Sequence, residues 1–348
     1  MVQTKSASIP TSNQARKERA ELEARALDVL SDVLGLLRLR GEVLCRTELS
    51  APWGLRFDSD EAYFHVIERG ICWLQAGASE EPIEVTGGDL VVLPHGRGHR
   101  LFDAAGSRVV PIMSVLGPRR EQPTGLMRFG GGGAETHLLC GRFRFDAQLA
   151  MSTLSGLPTV LHIPGASGRP PEWLELTMRF LASEARSAAP GREIAMSRLV
   201  DLLFVQTIRH WLSMHDERPL GWIGALRDPR IGSALTAMHA NPERPWDVHT
   251  LAAEVGMSRS SFAQRFVELV GEPPNKYLTR WRVSLAARLL QAPGASIVRI
   301  AERVGYESEA AFSRAFKRYM HVAPAAFREE STQSTLHPPK ERRYARRR

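Results

Sequence analysis

Cysteine is scarce. The chain has three in 348 residues, at positions 45, 72 and 140, with no CxxC pair among them. That excludes a small disulfide-stapled scaffold and a zinc ribbon, and it suits a reducing compartment. Long apolar runs are also missing. The most apolar helical stretch, IAMSRLVDLLFVQTIRHWL, is interrupted by Arg198, Asp201 and Arg209, so no membrane span or membrane partner is expected. The amino terminus, MVQTKSASIPTSNQARKERAELEAR, contains no apolar segment of the kind a secretory leader needs. A cytoplasmic protein is the expectation.

Excess charge of one sign is absent from two thirds of the chain. Residues 1–227 hold 26 basic and 26 acidic side chains, residues 228–330 hold 14 and 11, and residues 331–348 hold 6 and 1. The formal charge of +8 therefore lies wholly in the C-terminal third, which is where a polyanion would be attracted. The end, STQSTLHPPKERRYARRR, reads as a disordered basic tail.

Periodicity divides what lies between. ARALDVLSDVLGLLRLRG has apolar residues at spacings of three and four and predicts a helix ending at Gly41. From about 43 to 163, short β-rich runs such as AYFHVIERGICWLQAG and GDLVVLPHG, punctuated by Gly and Pro, predict an antiparallel barrel or sandwich. RFGGGGAETH lacks the Lys-Ser/Thr ending of a phosphate cradle and reads as a flexible connection. Two helices follow, PPEWLELTMRFLASEARSA and REIAMSRLVDLLFVQTIRHWLSM, with more apolar surface than one barrel wall needs, and they are candidates for subunit pairing.

After a short linker the chain repeats itself. LAAEVGMSRSSFAQRFVELVGEPPNKYL begins at Leu251, and IAERVGYESEAAFSRAFKRYMHVAPAAF begins at Ile300. Val255 and Gly256 align with Val304 and Gly305 at an offset of 49, whereas Phe262, Phe266 and Pro274 align with Phe312, Phe316 and Pro324 at an offset of 50. The extra residue lies in the turn. Each copy is a helix, a turn and a second helix anchored by Phe at i and i+4, so a helix-turn-helix is written twice. The run PPNKYLTRWRVSLAARLLQ joins them as a spacer helix, with Tyr277, Trp281, Leu285 and Leu289 on one face.

Residues 230–329 resemble the AraC/XylS-type transcriptional regulators, the second copy carrying the Phe-x-x-x-Phe-Lys, Pro, aromatic-Arg pattern most closely. Two positions depart from it. His321 stands where the family usually has Gly, and Gln264 where Arg is frequent. The resemblance implies double-stranded operator DNA and RNA polymerase as partners. Two recognition helices on one spacer would enter successive major grooves ~34 Å apart. With the Phe residues inward, the outward faces offer Ser258, Arg259, Ser260, Ala263 and Gln264 in the first copy and Glu309, Ala310, Ser313, Arg314 and Lys317 in the second as candidate DNA-binding residues. Arg and Gln suit guanine and adenine edges, and Lys317, a turn further on, suits phosphate.

The β-rich region has its own signature. Gly88, Pro94, Gly96 and His99 follow G-x5-P-x-G-x2-H, similar to the second cupin motif. The first motif's His-x-His is missing, since only His65 precedes Gly70, so no facial metal triad is assembled. The region as a whole is similar to the cupin-type sensor domain of one AraC-type subfamily, some of whose members sense oxidants through cysteines. Cys45, His65, Cys72, His99 and Cys140 are therefore candidate effector or redox residues, and soft S/N ligands would also suit Zn or Cu(I). No cofactor is otherwise expected.

The expected architecture is α+β in two domains, a cupin-like β-barrel with a helical dimerisation element followed by an all-α double helix-turn-helix. The expected boundaries are a disordered leader at 1–25, the sensor at 26–165, the dimerisation helices at 166–220, a linker at 221–229, the DNA-binding domain at 230–330 and the tail at 331–348. The expected function is a homodimeric regulator that responds to a small molecule or oxidant and is not an enzyme. The alternative is a cupin-type metalloenzyme fused to a DNA-binding module.

Overall fold

The computed structural model describes residues 29–35, 39–58, 61–77, 80–116, 126–145, 154, 156–187, 189–214, 221–292 and 294–329. The expected leader and basic tail lie outside these residues. The chain forms two compact units, Leu37–Pro219 and a second made of Met1–Leu36 with Leu220–Arg348.

The first unit is a two-sheet β-fold. Its strands are β1 (Arg40–Ser50), β2 (Gly54–Phe57), β3 (Ala62–Arg69), β4 (Ile71–Gln75), β5 (Ile83–Thr86), β6 (Leu90–Leu93), β7 (His99–Phe102), β8 (Val110–Pro111), β9 (Leu126–Gly130), β10 (Glu135–Arg144) and β11 (Leu161–Ile163). One sheet has the order β11-β6-β3-β10-β1-β9 and the other β5-β4-β7-β2-β8. Their inner faces enclose an apolar core that includes Leu49, Trp53, Leu55, Phe57, Ile67, Leu74, Val85, Leu101 and Leu138. A short helix, α2 (Ile112–Leu116), follows β8.

The outer face of β1 and β10 is covered by helix α4 (Arg192–Met214), which is preceded by α3 (Glu172–Arg186). Phe204 of α4 packs on Phe143 of β10 at 4.8 Å between ring centroids, and Asp201 accepts a 2.7 Å hydrogen bond from Gly41 N–H. Gly41 lies inside a strand and does not end a helix, because a Cβ there would sit 2.2 Å from Val200 and only glycine lets the helix approach. The Gly-rich stretch is likewise an exposed corner fixed by hydrogen bonds to the chain of Ser50 and Ala51 rather than a flexible connection. The N–H groups of Gly131 and Gly133 donate to Ser50 and Ala51 carbonyls at 2.8 Å, and Gly132 N–H donates to Ser50 Oγ at 3.0 Å.

The second unit is helical. It comprises α1 (29–35), α5 (Trp222–Ala225), α6 (Pro229–Ala240), α7 (Val248–Glu254), α8 (Arg259–Val270), α9 (Pro274–Leu290), α10 (Ile297–Arg303) and α11 (Glu309–Met320), closed by α12 (324–329). Helix α1, expected in the sensor, groups with this unit. Val29, Leu30 and Val33 are buried, and Asp32 lies 3.8 Å from the buried His239 ring. The expected linker is also part of the packing, since Trp222, Ile223, Ala225 and Leu226 are buried and too apolar to stay in water.

Helices α7–α8 and α10–α11 are the two helix-turn-helix copies. Ser258 and Ser308 cap α8 and α11 by accepting from the N–H groups of Ser261 and Ala311. Phe262, Phe266, Phe312 and Phe316 are fully buried. The spacer α9 buries far more than the predicted stripe: Leu278, Val283, Ser284, Ala286, Ala287 and Leu290 are buried alongside Tyr277 and Trp281, while Leu285 and Leu289 are only half-buried. A helix packed by a motif on either side needs small residues on most of its circumference.

Helix α8 ends at Gly271 with φ 86°, and α11 ends at His321 with φ 61°. The left-handed region costs a side chain with a Cβ about 1 kcal/mol. His321→Gly is therefore expected to raise stability by roughly 0.5–1 kcal/mol after the entropy cost of glycine, visible as a rise of a few degrees in the thermal midpoint of the full chain. A lower midpoint would mean that the imidazole makes a compensating contact.

Candidate functional site

The outward faces of α8 and α11 carry the expected DNA-reading residues. Arg259, Ser260 and Gln264 on α8 and Glu309, Ala310, Arg314 and Lys317 on α11 are exposed, with Ala263 and Ser313 half-buried beside them. The two faces differ electrostatically. On α8, Gln264 donates to Glu268 at 2.8 Å, and Arg265 is held by Asp228 at 3.0 Å. On α11, Arg314 and Lys317 have no ion pair or side-chain hydrogen bond among the described residues, and Arg314 is not paired with Glu307 or Glu309.

Asp228 explains how α8 is positioned. One carboxylate oxygen caps α6 by accepting from the N–H groups of Arg230 and Ile231, and the other receives Nε and Nη2 of Arg265. Burial would raise its pKa, but the Ile231 N–H, the Arg265 guanidinium and the Arg230 N–H together hold it below the ordinary carboxylate value. Arg230 also reaches the Gly256 carbonyl, in the turn of the first motif, at 2.8 Å. This clamp was not read from the sequence, nor were Arg299 and Arg303, exposed one turn apart on α10. Their spacing of four in IVRIAER was the available signal.

The five thiol and imidazole candidates converge in the β-unit. Cys45, Cys72 and Cys140 are free and buried, and His65 and His99 are buried too. Register explains the convergence. Cys45 pairs with Cys140 across β1 and β10, and Cys140 pairs with His65 across β10 and β3, so three neighbouring strands form one row. Val43, two residues before Cys45, pairs with Gly141, whose neighbours Leu139 and Phe143 share the α4-facing side of β10. An extra residue, Leu44, is inserted at this bulge. Alternation of side chains would otherwise put Cys45 on the same face as Val43, and the bulge turns it into the core beside Cys140.

His65 completes a chain across the sandwich. Its Nδ1 is 3.0 Å from Cys140 Sγ, and its Nε2 is 2.7 Å from Nε2 of His99 on the opposite sheet. Phe57 stacks on His99 at 4.5 Å and meets His65 edge-on at 4.8 Å. Burial pushes the His65 pKa down to about 3 and lowers His99 as well, with the neighbouring His65 adding to the effect on His99. A hydrogen bond with the Cys45 thiol, then burial, pushes the Cys140 thiol well up. Burial, followed by the charge of Asp89, pushes Cys72 up to about 12. These shifts hold His65, His99, Cys72 and Cys140 in their neutral forms.

A soft metal ion does not fit this arrangement. The two nitrogens of His65 point in opposite directions, one to Cys140 and one to His99, so thiol and second imidazole cannot meet at one ion. Among the described residues no three His, Cys, Asp or Glu side chains form a group that could hold a metal ion. No helix among those residues is long and apolar enough to cross a membrane.

Comparison with known proteins agrees with both units. The profile of a family described as Cupin matches residues 28–213, and that of a family described as Helix-turn-helix domain matches residues 251–330. A putative AraC-like transcription regulator of Streptomyces lividans is 33% identical over 312 residues, covering 88% of this chain and 99% of its own. The chain belongs to the AraC family of transcription regulators.

Other members are similarly close. The regulator AlkR of Acinetobacter baylyi is 31% identical over 310 residues, covering 88% of this chain and all of its own. RclR of Escherichia coli, named an RCS-specific transcriptional activator, is 28% identical over 312 residues, covering 88% and 99%. The DNA-binding domain of AdpA, solved with a target DNA, aligns at 32% identity with a TM-score of 0.29, over 31% of this chain and 96% of that one. These AraC-type relatives are named as regulators and not as enzymes, so the metalloenzyme alternative is set aside.

The neutral imidazoles make acid a destabilising condition. An unfolded histidine takes up its proton near pH 6.5, whereas folded His65 resists protonation until about 3. This contribution is fully present above about pH 6.5 and is lost as pH falls through that window. The urea midpoint of the wild type is expected to drop between pH 7 and pH 4 more steeply than that of His65→Gln. Equal slopes would assign the acid lability to other groups.

Proposed function

We propose that this AraC-family regulator reads an operator through both helix-turn-helix motifs under the control of a small molecule or oxidant acting on the cupin-like unit. The observation that carries the DNA-reading half is the second motif's outward face, where Arg314 and Lys317 have no side-chain partner among the described residues. A guanidinium or ammonium left without a partner at that position of a recognition helix is available to guanine O6/N7 or to phosphate. In this reading Arg259, Ser260, Ala263 and Gln264 face the other groove, and Ser258 combines capping with a backbone contact. Arg299 and Arg303 add phosphate contacts, so the second motif supplies most of the electrostatic attraction. The effector half is supported by the convergence of Cys45, Cys140, His65 and His99.

A homodimer fits the helical face. Leu176 and Phe180, one turn apart on α3, and Ile194 on α4 are 48%, 61% and 69% exposed. Isolated apolar residues at a surface are ordinary, but several on adjacent packed helices mark an association site. The double variant Phe180→Asp/Ile194→Asp is expected to sediment as a monomer and to keep its circular dichroism. An unchanged sedimentation coefficient would rule out this face.

The base-reading assignment separates cleanly from simple charge. Arg314→Ala is expected to cost ~1–3 kcal/mol on the preferred operator and to relax preference at one base pair. Lys317→Ala is expected to weaken every sequence alike and to reduce the salt slope by about one. Binding of both variants to an operator library checks this. If Arg314→Ala weakens all sequences equally, it contacts phosphate and not a base.

A further inference from the structure

We propose that Glu268 is a positioning residue for base recognition, fixing the amide of Gln264 so that the first motif reads adenine on one chosen strand. The inference rests on the base-reading role given above to α8 and specifies what that helix recognises.

Gln264 is exposed on the outward face of α8, and Glu268 stands one turn further along the same face. Gln264 Nε2 donates to Glu268 Oε1 at 2.8 Å. Chemistry sets the direction of this bond, because a carboxylate only accepts. Turning the amide end for end would press its carbonyl oxygen against that carboxylate. The nitrogen is therefore held toward Glu268 and the oxygen away from it.

An exposed pair at this spacing is weak when its carboxylate is free to swing. Here the carboxylate is held. Arg265 Nη1 lies 3.7 Å from Glu268 Oε2, the oxygen that Gln264 does not use. Arg265 in turn gives Nε and Nη2 to one oxygen of Asp228, whose other oxygen caps α6. Side-chain exposure rises along the row, from 10% at Asp228 to 33% at Arg265 and 49% at Glu268. Order is thus passed outward from a buried helix end to an amide at the groove.

The second motif is built differently at the same places. At the offset of 50, Arg314 stands for Gln264 and Arg318 for Glu268. A second cation one turn on repels a guanidinium instead of holding it, and Arg314 has no side-chain partner among the described residues. Equivalent positions are pinned on one recognition helix and free on the other.

The pinned amide selects a base. In the major groove adenine offers the N6 donor beside the N7 acceptor, whereas thymine offers the O4 acceptor and a methyl group. An amide that presents its oxygen and its remaining N–H in a fixed order matches adenine on one strand. Adenine on the other strand shows the two groups in reverse order and needs the flipped amide, which Glu268 opposes. A·T is thereby told from T·A. The same carboxylate repels phosphate, so Glu268 lowers general affinity while it raises discrimination.

The test selects binding sites for the full-length chain from a pool of random double-stranded DNA and sequences them. The wild type is expected to show an adenine-preferring position that Gln264→Ala abolishes. In Glu268→Ala the adenine-to-thymine ratio at that position should fall about two- to fivefold, while affinity for random DNA rises and the thermal midpoint stays unchanged. Glu268→Gln, which can accept from one amide orientation and donate to the other, should lower the ratio in the same way. An unchanged ratio in both Glu268 variants, with the effect of Gln264→Ala intact, overturns the positioning role and leaves base reading by Gln264 standing. An adenine preference that survives Gln264→Ala overturns both. Affinity, preference and thermal midpoint falling together in the Glu268 variants would mark a merely structural residue and also overturn the proposal.

Discussion

The bulge at Leu44 is the constraint on which the β-unit turns. A strand offers its two faces alternately, and β1 has two surfaces to serve, α4 on one side and the dry core on the other. Before the bulge, Gly41 lets α4 sit against the strand. After it, Cys45 and Leu49 join the core. One inserted residue thus sets which side chains meet the helix and which meet Cys140. Every contact in the thiol and imidazole row inherits that choice, because β10 stays in register with β1 beyond the insertion and Cys140 pairs in turn with His65 of β3.

The helical unit depends on a different economy of space. Its spacer α9 carries Ala286, Ala287 and Ser284 where larger side chains would keep the motifs apart, and its large rings, Tyr277 and Trp281, are stationed toward the first motif's half of the helix. Tyr277 meets Phe266 edge-on at 5.9 Å and donates to or accepts from His239 at 2.8 Å. In the second motif the corresponding aromatic, Phe327, meets Phe316 at 5.5 Å. The same edge-on contact is built twice, and this repeated packing is the physical content of the repeated sequence.

Much of this was legible because it is written locally. The Ser caps, the Phe pairs at i and i+4 and the left-handed residue after each recognition helix are all signals within a dozen residues, and His321 adopts the positive φ that its alignment with Gly271 implied. The convergence of the cysteines was not legible. It depends on a register shift between strands almost a hundred residues apart, and nothing in LCR marks a bulge. The Gly-rich corner was misread for a similar reason, since its glycines answer to the backbone of Ser50 and Ala51, far away in sequence. That helix α1 packs with the helical unit was not legible either, because amphipathic spacing says that a face is buried and not what buries it.

The attachments within the helical unit are unequal, and their order has a mechanical meaning. The chain returns to this unit beside Gly221, whose N–H donates at 3.0 Å to the carbonyl of Leu269 near the end of α8. Seven residues later Asp228 grips Arg265 on the same helix with two hydrogen bonds. The entering chain is therefore fastened to the first recognition helix at two points about one turn apart. No such fastening reaches α11 from the entering segment among the described residues, and the second motif is joined to it through α9 and the packing that α9 mediates. A displacement arriving along the chain acts on α8 directly and on α11 only through a helix buried around most of its circumference. The motif with the freer basic face, holding Arg314 and Lys317, is thus the one insulated from the point of entry, and the motif with its Arg265 and Gln264 already engaged is the one coupled to it.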